Sequence, residues 1–170
     1  MAEEATANQN QLPPFEIKKV YLKDVSFESP LSPEVFTQQY KPALSVDFGL
    51  ENKKLDVEPD TYSSTIRITA TCKDGEDEKK TYFVAVVKYG GVFTIRLEEE
   101  IQRRHALEAV CPTVMFPYAS ERICSLVTTG GFPPVILPPV NFEVLFAQKL
   151  ESERQKQEGQ PQEGQQPANG

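Results

Sequence analysis

Between Gly130-Gly131 and Asn141 the chain reads Phe132-Pro-Pro-Val-Ile-Leu-Pro-Pro-Val140. This bridge carries no charge and no ordinary polar side chain. A solvated loop has the opposite composition. Either another part of the fold covers the bridge, or the bridge lines a surface that takes something apolar. Two helical patterns flank it. Upstream, Cys111, Met115, Tyr118, Ala119, Ile123, Leu126 and Val127 form a stripe at helical spacing that ends at the glycine pair. Pro117 lies inside that stripe and predicts a kink or a restart. Downstream, Asn141 is a helix N-cap, Val140 can staple onto Leu145, and Glu143 suits the positive first turn. Phe142, Leu145, Phe146 and Leu150 form the apolar face of that last helix.

The first half of the chain alternates as strands do. Phe15, Ile17, Tyr21, Val25 and Phe27 share one face. Glu16, Lys18, Asp24, Ser26 and Glu28 share the other, with Val20 and Leu22 among them. Ser29-Pro30-Leu31-Ser32-Pro33 breaks the strand, and Glu34 to Tyr40 suits a turn of helix. A second strand from Ala43 puts Leu44, Val46, Phe48 and Leu50 on one side. In the third, Tyr62, Ile66, Ile68, Ala70 and Cys72 alternate with threonines, serine and arginine, and Asp74-Gly75 opens a hairpin loop. The fourth, Thr81 to Tyr89, is apolar on both faces: Phe83, Ala85 and Val87 on one, Tyr82, Val84 and Val86 on the other. With helices on only one side of the sheet, the second face would meet water. Another subunit covers it, or the strand is buried within one chain; the pattern fits both. Gly90-Gly91 punctuates, Val92-Phe93-Thr94-Ile95 can extend the sheet briefly, and a helical pattern begins at Glu98.

A length of 170 residues suits one domain, expected over 15–156, with a disordered leader over 1–14 and a disordered polar tail over 157–170. After Leu150 the chain turns polar, so no further core is expected there and the segment reads as solvated and disordered. A net charge of −7 argues against nucleic acid as the main partner. No secretory signal and no apolar run of membrane length is evident, so neither membrane insertion nor export of this chain is expected. The cysteines, Cys72, Cys111 and Cys124, are odd in number and form no CxxC pair, which reads as reduced thiols in the cytoplasm.

No catalytic constellation is written into the chain. His105 is the lone histidine, no serine sits in a GxSxG elbow, and neither glycine pair belongs to a phosphate-binding loop. The run Glu98-Glu-Glu100 reads as a solvated helix start. The residues therefore favour binding over catalysis, with no cofactor and no metal.

Four stretches carry a resemblance to SecB, the bacterial protein-export chaperone family: Tyr21-Leu-Lys-Asp-Val-Ser-Phe-Glu28, Gly90-Gly-Val-Phe93, Cys111-Pro-Thr-Val-Met-Phe-Pro-Tyr-Ala119 and Pro139-Val-Asn-Phe142. Their order and spacing fit, and the resemblance spans residues 15–150. It implies an α+β subunit: a four-stranded antiparallel sheet with a long helix and a shorter C-terminal helix packed on one face. It also implies a homotetramer built as a dimer of dimers. The activity implied is ATP-independent holding of unfolded preproteins and their delivery to the SecA motor. An alternative within the resemblance is a chaperone dedicated to an antitoxin or another narrow client set.

The resemblance also distributes roles. SecA docking falls on Asp24, Glu28, Val84 and Val86, the last standing where the family often has a carboxylate. A client groove falls on Tyr40 (where a tryptophan is common), Leu44, Val135, Leu137, Phe142, Leu145 and Phe146. Subunit contacts fall on Tyr82, Val84, Val86, Cys111, Met115 and Tyr118.

Overall fold

The computed structural model describes residues 12–158. Most of the expected leader and tail lies outside that range. Four strands, β1 (Phe15–Glu28), β2 (Pro42–Lys54), β3 (Thr61–Asp74) and β4 (Thr81–Ile95), form one antiparallel sheet in the order β1-β4-β3-β2. β1 and β2 are thus the two edges. The connection between them passes through a short 3-10 turn, Glu34–Thr37, which buries Val35.

One face of the sheet is covered by a long helical segment in three parts: α1 (Glu100–His105), a π turn (Ala106–Val110) and α2 (Cys111–Thr129). Met115, Ala119, Ile123 and Val127, four apart, are fully buried against Ile66, Ile68, Ala85 and Val87 of the sheet side. Each large apolar side chain so buried contributes roughly 1.5–3 kcal/mol. After Gly131, at φ +88, the bridge leads to α3 (Phe142–Glu158). The Val144 N–H donates to Asn141 Oδ1 at 3.2 Å, the expected N-cap.

Five local expectations are corrected. First, β1 does not alternate throughout. Its register with β4 shifts between Ile17 and Lys19 and again between Leu22 and Asp24. Each shift inserts one residue and reverses which side chains face the helices. Val20 and Leu22 therefore join Ile17 and Val25 on the helix side, while Tyr21 moves to the outer side beside Gly90.

Second, Gly90-Gly91 makes no break: the short extension expected over Val92 to Ile95 is continuous with β4, which runs to Ile95. The glycines lie within the strand because the Tyr21 ring covers Gly90, and the Phe93 ring covers Gly91, where a Cβ would stand. Third, the helix does not restart at Pro117, which lies within α2; the long segment passes through its π turn ahead of Pro112. There the Cys111 N–H donates to the Ala106 carbonyl, five residues back. Pro112 has no N–H to give and its ring crowds the preceding turn, so a wider turn before it relieves the clash.

Fourth, Pro13 and Pro14 are not loose. Arg96 donates from its guanidinium to the Pro13 carbonyl at 2.7 Å and from its backbone to Pro14 at 2.8 Å. Fifth, α3 continues past Leu150 through polar residues to Glu158. Glu, Arg, Lys and Gln are good helix formers. Arg104 of α1 also holds Glu153 by two parallel hydrogen bonds at 3.1 and 3.2 Å.

Candidate functional site

Two aromatic groups lie on the helix side of the sheet. The first surrounds Phe132, the opening residue of the bridge. Its ring centroid lies 4.9 Å from Phe83, 5.2 Å from Phe36 and 6.0 Å from Tyr40. Tyr40 in turn packs on Tyr82 at 5.1 Å, and its hydroxyl lies 3.4 Å from Cys72 Sγ. Burial is the main reason the Tyr40 hydroxyl and the Cys72 thiol both titrate above their ordinary ranges. The Tyr82 hydroxyl donates to Asp74 Oδ2, which holds the Asp74 carboxyl below the usual range and pushes the Tyr82 phenol up.

The second group sets Phe116 between Phe48, tilted at 6.0 Å, and Phe142, edge-on at 5.8 Å. Beside it lies a cavity of about 220 Å³, lined by Phe48, Leu50, Ile66, Phe142, Leu145 and Phe146, with Glu108 and Lys149 also on its wall. β2 runs along this side of the molecule as an edge strand. Its Leu44 and Phe48 remain 45% and 44% exposed on the side that faces the helices. An apolar edge left this open is unusual, because edge strands are commonly blunted by charge or covered.

The expected groove residues divide between these features. Phe142, Leu145 and Phe146 come together around the cavity, and Tyr40 belongs to the first aromatic group. Leu44 lies on the same strand as Phe48. Of the bridge, Leu137 is buried, Val135 is half-buried and Ile136 is exposed. Phe36, Phe48 and Leu50 join these features without having been among the expected groove residues. The alternation of β2 already placed Phe48 and Leu50 beside Leu44, and only the edge position of the strand shows that they stay open.

The other sheet face carries the expected docking residues. Glu28 pairs with Val84 and Ser26 with Val86, while Asp24 pairs with Lys88. On the far side of β4, Val84 pairs with Thr71 and Val86 with Thr69. Asp24 and Glu28 are exposed and the two valines half-buried, so the four form one patch.

The expected subunit-contact residues are scattered. Cys111 and Met115 are wholly buried against the sheet and have no surface to offer a second subunit. Burial pushes the Cys111 thiol up to about 12. Tyr82 is not on the outer face with Val84. The β3–β4 register shifts between Cys72 opposite Phe83 and Lys73 opposite Thr81. That shift passes over Tyr82 and turns its ring into the first aromatic group. Tyr118 does remain exposed, its ring 5.9 Å from Tyr89.

Fold and site together define an α+β binding protein, with a cavity and open apolar residues on one side of its sheet and a mixed acidic and apolar patch on the other. Among the described residues no group of three or more metal-ligating side chains is clustered, and no helix is long and apolar enough to cross a membrane. The family model described as preprotein translocase subunit SecB matches residues 8–153, and the chain belongs to the SecB family. SecB is a family of protein-export chaperones, not of enzymes.

The chain is 42% identical over 152 residues to the protein-export protein SecB of Pseudomonas paraeruginosa, covering 88% of this chain and 91% of that one. It is 42% identical over 147 residues to the protein-export protein SecB of Hydrogenovibrio crunogenus, covering 86% and 95%. Among solved structures, the fold is similar to the SecB-like chaperone of Mycobacterium tuberculosis in complex with a ChAD peptide from the HigA1 antitoxin. That match has a TM-score of 0.59 at 14% identity and covers 75% of this chain and 91% of that one.

Proposed function

We propose that this chaperone holds unfolded preproteins in the apolar groove that runs from Tyr40 and Phe132, along β2, to the cavity beneath Leu145 and Phe146. The exposed apolar row on the edge strand β2 carries this reading. An extended client segment can bury its own side chains there, and that attraction is non-directional and tolerant of sequence. Each well-buried side chain contributes roughly 1.5–3 kcal/mol before ordering costs. Several such contacts repeated in a homotetramer, a dimer of dimers, would give tight yet releasable holding through effective concentration. No nucleotide is required. The outer patch of Asp24, Glu28, Val84 and Val86 is the docking face for SecA, where the two carboxylates would attract basic side chains of the motor.

The test is light scattering coupled to size exclusion in the cytoplasmic pH range, with and without a reduced, unfolded precursor and without ATP. A tetramer that takes up the precursor is the expected result. A tetramer that ignores unfolded chains would mean that the apolar edge serves assembly alone, and a monomer would mean that the apolar stretches serve the fold alone.

A further inference from the structure

The Asp74 carboxylate divides its two oxygens between two tasks. Oδ1 accepts the backbone N–H groups of Glu76 and Asp77, at 2.8 and 3.1 Å, and so closes the β3–β4 hairpin. Oδ2 accepts the Tyr82 hydroxyl. The hairpin needs only the first oxygen. The second reaches into the aromatic group around Phe132.

Tyr82 is there because of the register shift that turns it off the outer face. Its ring supports Tyr40, Tyr40 packs on Phe132, and Phe132 packs on Phe83 and Phe36. Tyr82 and Phe132 are themselves buried, whereas Tyr40 is half-buried and Phe36 is 51% exposed. Buried rings thus form a base and open ones form a surface. The hairpin end is also fastened to the segment that carries Tyr40. Gly75 N–H donates to the Lys41 carbonyl at 2.8 Å, and Lys41 pairs with Glu76 at 2.6 Å.

We infer that Asp74 and Tyr82 are positioning residues of the groove: their hydrogen bond fixes the Tyr82 ring, and that ring sets the plane on which Tyr40 receives an aromatic side chain of a client. The inference rests on the groove reading above. Aromatic pairs depend on offset and tilt, whereas an aliphatic side chain gains mainly from the area it buries. Loosening the base ring should therefore weaken aromatic anchors selectively.

The experiment uses the full-length protein and two labelled synthetic peptides, one with a single central phenylalanine and one with leucine in its place. Tyr82→Phe removes the hydroxyl, keeps the ring and leaves the Oδ1 closure of the hairpin intact. Fluorescence anisotropy is expected to show the phenylalanine peptide weakened about fivefold and the leucine peptide by less than about twofold. In a Tyr40→Leu background, Tyr82→Phe should change neither peptide, because the two rings act as one unit. Asp74→Ser, whose one hydroxyl oxygen can accept the hairpin amides and does not reach Tyr82, repeats the measurement if Tyr82→Phe folds poorly. Equal weakening of both peptides, no weakening of either, or an unchanged effect in the Tyr40→Leu background would overturn the inference while leaving the groove in place. A wild-type protein that binds neither peptide would overturn the groove reading and this inference with it.

Discussion

Lys149 of α3 donates a 2.6 Å hydrogen bond to Glu108 in the π turn, and both side chains stand on the wall of the groove cavity. Glu108 also accepts from Arg104 Nε at 3.3 Å, and Arg104 reaches on to Glu153 of α3. The polar fastenings of α3 thus converge on Arg104, His105 and Glu108, the last turn of α1 and the π turn after it. His105 meets Glu143 at 2.6 Å and packs its ring edge-on to Phe146.

The α3 helix should therefore loosen apart from the sheet. Partly exposed ion pairs contribute about 0.2–1 kcal/mol each. Glu108→Gln is expected to speed amide exchange in α3 about two- to fivefold and to leave β3 and β4 unchanged. Added salt should act in the same direction. Mass-spectrometric hydrogen exchange reads both, and equal acceleration in the sheet would show that α3 and the sheet open together.

Leu145 and Phe142 should separate client binding from stability. Leu145 lines the cavity and is 48% exposed, so Leu145→Asp should cost the fold no more than about 0.5 kcal/mol. It should weaken an unfolded client about tenfold, because an apolar contact becomes a charge. Phe142 is buried against Phe116, and Phe142→Asp should cost about 3 kcal/mol or more. Thermal unfolding and client anisotropy on the two variants check this. A Leu145→Asp protein that holds clients normally would place the groove elsewhere.

Docking should respond to charge on the other face. The double substitution Asp24→Lys with Glu28→Lys should lower SecA affinity more than about tenfold at low salt and leave client holding unchanged. Val86→Glu should raise it about threefold by adding a carboxylate between Ser26 and Thr69, in the same patch. Surface plasmon resonance at two salt concentrations measures both. A SecA affinity that ignores all three positions would remove this face from docking.

The Asp74–Tyr82 contact should persist in mild acid. Its carboxyl is held below the ordinary value of about 3.9, first by the Tyr82 hydroxyl and then by the Glu76 backbone. A depressed carboxyl stabilises the fold above the ordinary value, and that contribution is lost as pH falls through the folded one. The contact is therefore intact at pH 5 and opens only below the ordinary carboxylate range. In Tyr82→Phe the Asp74 carboxyl should titrate nearer its ordinary value. Carbon-detected NMR titration follows it directly, and an unmoved Asp74 would show that the backbone amides alone depress it.

Much of the architecture was legible because periodicity reports burial. The alternation of β2 and β3, the four-residue spacing of Met115, Ala119, Ile123 and Val127, the glycine stop and the Asn141 cap are local patterns with local causes. Where one inserted residue reverses a face, the pattern misleads. Tyr21 and Tyr82 both change sides at register shifts that no run of neighbours in sequence displays. The π turn stands ahead of Pro112 while α2 runs through Pro117, and the two prolines look alike in sequence.

The chain by itself determined its elements, its apolar bridge, the want of a catalytic constellation and its likeness to a family, since each is carried by the kind and spacing of residues. Tertiary structure decided which apolar residues stay open. Cys111, Met115 and Phe48 are equally apolar in sequence, yet the first two are sealed beneath a helix and the third stands on an edge strand. The reason is that burial depends on what packs above a residue, and strand order and register, not composition, settle that.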